Sequence, residues 1–301
     1  MKCASVTVTF GPDQGVLSSQ IAALPRDWNK VIVDNGTPDE QWAPIAEILG
    51  VRDDVVVLRL GVNKGLGAAQ NEGMRWLAAH SGASHVLLLD QDSEPMCGSA
   101  GELAGAYRSL EAQGRPVGAV GPLLVDSVNG HRHKFHLIDG WRWRRIDRAG
   151  GEPFRCSGIN GSGTFMSIAT ALSLGGMDEA LFIDLLDAEW SFRLTASGLE
   201  LYGVPDSVFM HRMGERTTRF WLFGWHVWPV RTPYRHRYLF RNAVLLLGRG
   251  YVPLVWRTWA VVKLVLSAAV FGTFGPERLQ QLRAMGRGVA DGLLNRSGAI
   301  P

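Results

Sequence analysis

Cysteine is scarce in this sequence: Cys3, Cys97 and Cys156 are the only three among 301 residues. They are too few and too scattered for a disulfide framework, and no two stand at metal-ligand spacing, so a reducing compartment is the natural home. An excess of one charge is missing too. Lysine and arginine number 31 against 28 acids, a net charge of +3 that gives no case for nucleic-acid binding. No Gly-Lys-Ser/Thr follows the glycine-rich stretch GVNKGLGAAQNEG, which excludes a Walker phosphate loop, and Gly65-Leu66-Gly67 lacks the spacing of a dinucleotide fingerprint. The opening MKCASVTVTFG runs into an alternating strand pattern without a basic leader, a long apolar core or a small-residue cleavage site, so no export signal is expected.

What is present is the balance of a folded protein, 46% hydrophobic and 20% charged, of a length for one large or two modest domains. The charge average conceals an asymmetry. Residues 212–301 hold 14 basic residues against 3 acids, leaving 17 against 25 for the rest, so the two ends face different partners. Through the first 120 residues short apolar runs (SVTVTF, KVIVDN, VVVLRL, HVLLLD, VGAVGP) alternate with helix-like stretches near 16–24, 39–49, 68–79 and 100–113. Strands this uniformly apolar are covered on both faces, which predicts an α/β fold with a central, mostly parallel sheet built from βαβ units. Ligands of such sheets bind at the carboxyl ends of the strands, where Asp34, Asn35, Asp90, Gln91 and Asp92 fall.

Residues 126–157 read as β-hairpins with a basic, Trp-bearing loop, GINGSGTFMSI as a glycine-rich turn entering a strand, and 177–198 as a turn followed by an amphipathic helix. YGVPDSVFMH reads as a last strand. Beyond it arginine and tryptophan dominate, with Trp221, Trp225, Trp228, Trp256 and Trp259 supplying five of eleven tryptophans. The apolar stretch 251–275 is about long enough to span a bilayer, but Arg257 and Lys263 interrupt it. A helix lying on the membrane is the favoured reading; a core-packing helical tail and, behind it, a true spanning helix are the others.

Four segments bear carboxylates or phosphate-binding backbone. In LLLDQDSEP two carboxylates one residue apart follow an apolar strand; they suit a hard cation completed by substrate phosphates, although Asp-x-Asp is also a common turn or helix-cap pattern. In VDNGTPD, Asp34 offers an acceptor for the imide N–H of a uracil or thymine ring, or caps the next helix. GVNKGLGAAQNEG offers backbone amides and a helix start to a phosphate or ribose. In FIDLLDAEWSFR, Asp184, Asp187 and Glu189 crowd an apolar segment, which raises carboxylate pKa values and suits a general base; the other reading is an acid-rich helix start with Glu189 pairing to Arg193. HRMGE adds a late histidine, a candidate metal or phosphate contact.

In this order the elements resemble the inverting glycosyltransferases of family 2 with the GT-A fold, over about residues 4 to 215, and most of all the bacterial rhamnosyltransferase branch that builds O-antigen and other surface polysaccharides. The resemblance implies donor contacts from Thr9, Phe10 and Gly11 in the opening loop, from Asp34 and Asn35, from Asn63, Gly65 and Asn71, and from Asp90 and Gln91. It implies Mg2+ or Mn2+ held by Asp92 and His211, and Asp187 as the base, aligned in Leu186-Asp187-Ala188-Glu189-Trp190-Ser191-Phe192-Arg193. The branch often shows this Asp-x-Glu-Trp form where the wider family has Glu-Asp-x-Asp. Gly163, Thr164, Glu189 and Trp190 are expected at the acceptor, Trp190 as a flat face for a pyranose ring although a core tryptophan is the commoner case, and His236-Arg237-Tyr238 to Arg241-Asn242 is similar to a further segment that follows the catalytic domain in that branch.

On this reading residues 1–215 form the catalytic domain, with a nucleotide-sugar half to about 125 and an acceptor half after it, and residues 216–301 a basic, helical, membrane-associating region. The expected partners are a nucleotide-diphospho-sugar, most of all dTDP-L-rhamnose, a lipid-linked saccharide and the inner face of the cytoplasmic membrane, with a homo-oligomer left open. Another donor such as a UDP-hexose is the alternative; a sugar nucleotidyltransferase could also use such a sheet and metal-bound carboxylates but would need an opening Gly-rich, Arg/Lys-bearing triphosphate loop that is not found, and a non-catalytic scaffold would need neither Asp187 nor a metal.

Overall fold

The computed structural model describes residues 1–127, 130–211, 217–221 and 225–300, with the backbone alone for 217–221 and 225–229. The chain runs β1 (Cys3–Thr9), α1 (Gln14–Ala23), β2 (Asn29–Asp34), α2 (Asp39–Gly50), β3 (Val55–Arg59), α3 (Leu66–His80), β4 (His85–Asp90), β5 (Ser93–Pro95), α4 (Ser99–Ala112) and β6 (Val117–Asp126). Then follow β7 (Phe135–Asp139), β8 (Arg142–Ile146), β9 (Phe154–Cys156), β10 (Phe165–Ser167), α5 (Ile168–Ser173), α6 (Leu186–Ala196) and β11 (Glu200–His211). The last part is a hairpin, β12 (Thr217–Trp221) and β13 (Trp225–Pro229), and three helices, α7 (Pro233–Leu247), α8 (Leu254–Thr273) and α9 (Arg278–Leu293).

The main sheet has nine strands in the order β3-β2-β1-β4-β10-β6-β11-β5, with β9 also on β11. Six of them run parallel; the short β5, β9 and β10 run against their neighbours. Every residue of β1 is buried because both faces are covered. On one face α3 lies so close that a Cβ at Gly73 would stand 2.5 Å from Val6 Cγ1. On the other, Leu103 and Tyr107 of α4 meet Leu87 and Phe165.

The chain reverses direction across the sheet at β1, whose neighbours are β2 and β4. That reversal leaves a crevice at the carboxyl ends of the strands, the general ligand position in such sheets. Registers fix what flanks it: Thr9 stands beside Asp34, and Val8 beside Asp90.

SEP, to which the sequence assigned no element, is the short strand β5, recruited by antiparallel pairing with the end of β11. One expectation needs revision. The region after 215, expected to be helical, opens with the β12–β13 hairpin, so β11 is not the last strand.

Candidate active site

The metal-binding corner is assembled from three strand ends. Asp90 closes β4, Asp92 follows in the turn to β5, and His211 ends β11, which pairs with β5. One ligand atom from each lies within 4.8 Å of the others, and His211 Nδ1 stands 3.5 Å from Asp92 Oδ1. Burial first, and then the neighbouring Asp92, push the Asp90 carboxyl up to about 6. Two hard oxygen donors and an imidazole, crowded so that negative charge is disfavoured, fit a small divalent cation such as Mg2+ or Mn2+. His211 thus stands beside Asp92 as expected, and Asp90 joins them; Gly214 and Glu215 of the same motif lie outside the described residues.

The turn is held from behind by residues without a sequence signature. Ser93 Oγ lies 2.6 Å from His211 Nδ1, Ser162 Oγ donates to Ser93 Oγ at 2.6 Å, and the Asp90 N–H donates to Ser162 Oγ at 3.0 Å. Gln20, wholly buried, donates to the carbonyls of Asp90 (2.7 Å) and Ser93 (2.5 Å) and accepts from Thr7. These partners are 69 to 118 residues apart in sequence, apart from the local strand-to-helix pair Thr7 and Gln20, so no spacing pattern announces them.

On the nucleotide side, the Phe10 N–H donates to Gln91 Oε1 at 2.7 Å and Gln91 Nε2 returns a bond to the Phe10 carbonyl, tying the loop after β1 to the Asp-x-Asp turn. Gly11, at φ 58°, donates to Thr37 Oγ1. The Asp34 carboxylate is fully buried and accepts from Thr9 Oγ1 (3.4 Å), Thr37 N (3.3 Å) and Arg59 Nε (3.3 Å), donors that hold it in place at the end of β2. Arg59 is its register partner on β3. Asn35 and Asn63 lock the glycine-rich turn: Asn35 Nδ2 donates to Asn63 Oδ1, which also accepts from Gly65 N, while Asn35 Oδ1 accepts from Lys64 N. Gly65 caps α3 at φ 92°, pressed against Phe182, where any Cβ would lie 2.7 Å from the ring.

Asp187 lies in the first turn of α6 and accepts from Ala188 N at 2.9 Å. Burial, with Asp184 adding to it, raises its carboxyl above the usual range. Its charge also bears on Asp90, and Arg235 of α7 bears on Asp90 and Asp92 while gripping Asp184 through two bonds of 2.7 and 2.8 Å. The carboxylate-bearing segments therefore meet in one cleft, with a cation from the C-terminal helices at its edge, a residue the sequence motifs did not single out.

Several expected contacts are corrected. Asn71 is buried and its amide is used on both sides, donating to the Met177 carbonyl (2.9 Å) and Glu179 (2.8 Å) and accepting from Met177 N (2.7 Å), so it braces α3 against the segment before α6 instead of standing open to the donor. Glu189 faces inward, bound by Arg193 at 2.8 and 2.9 Å and by the Tyr251 hydroxyl at 2.6 Å, the helix pairing that the spacing also offered. Trp190 is 1% exposed, with the Arg193 guanidinium 4.8 Å from its ring. Neither presents a face to an acceptor: two and three positions beyond Asp187 on the same helix, Glu189 is buried among Arg193, Arg249 and Tyr251 and Trp190 beneath the Arg193 guanidinium. Gly163 and Thr164 are likewise buried, Gly163 at φ 88° against Pro122 and Thr164 donating to the Asn160 carbonyl; the same turn brings Ser162 to Asp90 and Gly161 to Asp187. Trp190→Ala is expected to cost about 3–5 kcal/mol of stability, the range for emptying a buried aromatic site, measured by denaturant unfolding.

Strand ends that carry a candidate cation site, with a raised carboxyl at the start of α6, fit a GT-A glycosyltransferase, a metal-dependent enzyme acting on a nucleotide sugar. The model of glycosyl transferase family 2 matches residues 15–158. A dTDP-rhamnosyl transferase, RfbF of Shigella flexneri, is 31% identical over 254 residues, covering 83% of this chain and 81% of that protein. The chain belongs to glycosyl transferase family 2. Among solved structures, GalNAc-T7 with UDP, GalNAc and Mn2+ superposes with a TM-score of 0.60 at 16% identity, over 98% of this chain and 56% of that one, so the chain spans just over half of it. The mannosyltransferase PcManGT of Pyrobaculum calidifontis, in complex with GDP-Man and Mn2+, gives 0.55 at 13% identity over 98% and 88%. At such identities the likeness is one of fold.

Proposed function

We propose that this enzyme transfers L-rhamnose from dTDP-L-rhamnose, with inversion, to a hydroxyl of a lipid-linked saccharide in O-antigen or related surface-polysaccharide synthesis. The observation that supports the reaction class is the grouping of Asp90, Asp92 and His211 at the strand ends, with the charge of Asp187 bearing on Asp90. The rhamnosyl donor rests on the 31% identical relative. A UDP-hexose is the second reading, favoured by the structural neighbours solved with UDP and with UDP-GlcNAc. Both donors are pyrimidine nucleoside diphosphates, which suits an imide acceptor at Asp34.

In this mechanism Asp187 takes the proton of the acceptor hydroxyl as its oxygen attacks the anomeric carbon, and the nucleoside diphosphate leaves from the opposite face. A single displacement inverts the configuration. Burial suits Asp187 to the task by raising its proton affinity. The cation, bound by Asp90, Asp92 and His211, would neutralise charge on the diphosphate. Arg235, near that corner, adds positive charge at the same edge.

The lipid-linked acceptor and a peripheral place on the inner membrane face find support in α8, a 20-residue helix of mean hydropathy 1.6 with one third of its span buried. Trp259, Val261, Val262, Val265 and Leu266 are exposed on it, while Arg257 folds back onto the carbonyls of Arg249, Gly250 and Val252. Arg283 and Arg287 line a groove of 300 Å³ between α7 and α9. Cations near an anionic surface add about 1 kcal/mol each.

A thermal-shift panel tests the donor. With Mn2+, dTDP-L-rhamnose is expected to stabilise the enzyme more than UDP-hexoses or GDP-mannose, by about 2.7 kcal/mol at a hundredfold its Kd. Stabilisation by UDP-hexoses alone selects the second reading. Release of nucleoside diphosphate on adding acceptor separates transfer from nucleotidyl chemistry, which would release pyrophosphate.

A further inference from the structure

The segment just before Asp187 is unusual. Phe182, Asp184 and Leu185 all lie at positive φ, 63°, 67° and 63°, a region that costs non-glycine residues on the order of 1 kcal/mol or more each and persists only where surroundings enforce it. The enforcement comes from α7, 50 to 60 residues further along the chain. Asn242, wholly buried, aims Nδ2 at three carbonyls at once, those of Leu181 (2.9 Å), Ile183 (2.7 Å) and Asp184 (2.9 Å). An amide has two N–H groups, so the three contacts share them.

Arg241, also wholly buried, has no carboxylate within ion-pair distance among the described residues and spends its guanidinium on oxygen atoms instead. Nη2 donates to the carbonyls of Ala180 (3.2 Å) and Leu181 (2.9 Å), Nη1 to that of Gly298 (2.6 Å), and Nε to Asn242 Oδ1 (2.9 Å), which orients the amide. A buried cation is expensive to keep, and here the four hydrogen bonds, the Tyr238 ring 4.7 Å from the guanidinium carbon and the field of Asp291 compensate it. The Tyr238 ring stacks on Phe182 at 5.0 Å and 14°, and Arg235 grips the side chain of Asp184.

We propose that the Arg241–Asn242 pair is a backbone clamp that holds residues 180–185 in their strained path and thereby sets Asp187 in the cleft. The pair are positioning residues; they act through the loop and touch neither sugar nor nucleotide. Leu185 begins α6 in the left-handed region, so its φ sets the direction in which the first turn leaves the loop and where the Asp187 carboxylate points. The clamp also reaches the donor side, because the Leu66 N–H donates to the Phe182 carbonyl at 2.7 Å at the start of α3. One segment thus spans base and nucleotide turn, and the C-terminal helices are part of the active site as well as neighbours of it. The catalytic consequence rests on the reading of Asp187 as base.

The test uses the full chain with Asn242→Ser, which keeps a single donor, Asn242→Ala, which keeps none, and Arg241→Lys, alongside Asp187→Asn. Hydrogen exchange at amides 181–188 is expected to quicken at least tenfold in Asn242→Ala, with β1 and β4 unchanged and Asn242→Ser between it and the wild type. Turnover, counted per donor-binding site by calorimetric titration, is expected to fall about a hundredfold with donor KM within twofold, since small displacements of a reacting group have effects of that size. Unchanged exchange in 181–188, in any of the three clamp variants that unfolds cooperatively, overturns the clamp. A loss of turnover that vanishes when counted per binding site overturns its catalytic role. Full turnover of Asp187→Asn with quickened exchange in Asn242→Ala leaves the clamp standing and removes the base it was said to position.

Discussion

Asp187→Asn is expected to lower kcat by about two orders of magnitude or more, the range of general-base help, while donor Kd stays within about twofold. The amide has the shape of the acid and can keep the bond to Ala188 N, so the loss isolates proton transfer. Radiolabelled or coupled transfer assays measure kcat, and calorimetry with the nucleoside diphosphate measures binding. Full activity rejects the assignment. The sign of the pH effect follows from burial: the Asp187 carboxyl is raised, and the base works only when ionised, so kcat falls toward acid along a limb lying above the ordinary carboxylate range. Asp184 pushes that limb up as well, and the Ala188 N–H and Lys263 oppose it. An acid limb at the usual carboxylate value contradicts a desolvated base.

Chelation, or Asp92→Ala, is expected to abolish the Mn2+ dependence of donor binding. Loss of one ligand costs at least about 10- to 100-fold in metal affinity, the loss produced even by outer-shell partners. Titration of the nucleoside diphosphate with and without Mn2+ reads this directly. Donor binding or transfer that is indifferent to chelator removes the metal from the reaction. Because Ser93, Ser162 and Gln20 hold the turn from behind, Asp92→Ala is expected to leave the melting temperature nearly unchanged, which separates a lost ligand from a lost fold.

Much of this was legible in one dimension. The apolar runs of β1, β2 and β4 announce a sheet covered on both faces, and the elements fall within a few residues of the expected spans. Asp34, Asp90 and Asp92 stand at strand ends because a polar residue that closes an apolar run has nowhere else to go. Side chains placed by the resemblance fared less well. Glu189 and Trp190 sit beside the base in sequence yet point into the core, and Asn71, in a motif expected to touch the donor, spends its amide on the Met177 backbone.

The sequence by itself determined the α/β class, the acidic strand ends and the segment that carries Asp187, since these follow from local periodicity and from which side chains interrupt it. Tertiary structure alone decided which groups share the cleft. His211 comes to Asp92 through β5–β11 pairing, and Arg235, Arg241 and Asn242 come to the loop before Asp187 from a helix whose own pattern says only that it is amphipathic. A side chain's partner across 50 to 118 residues depends on how the elements close on one another, and no local property of the chain encodes that distance.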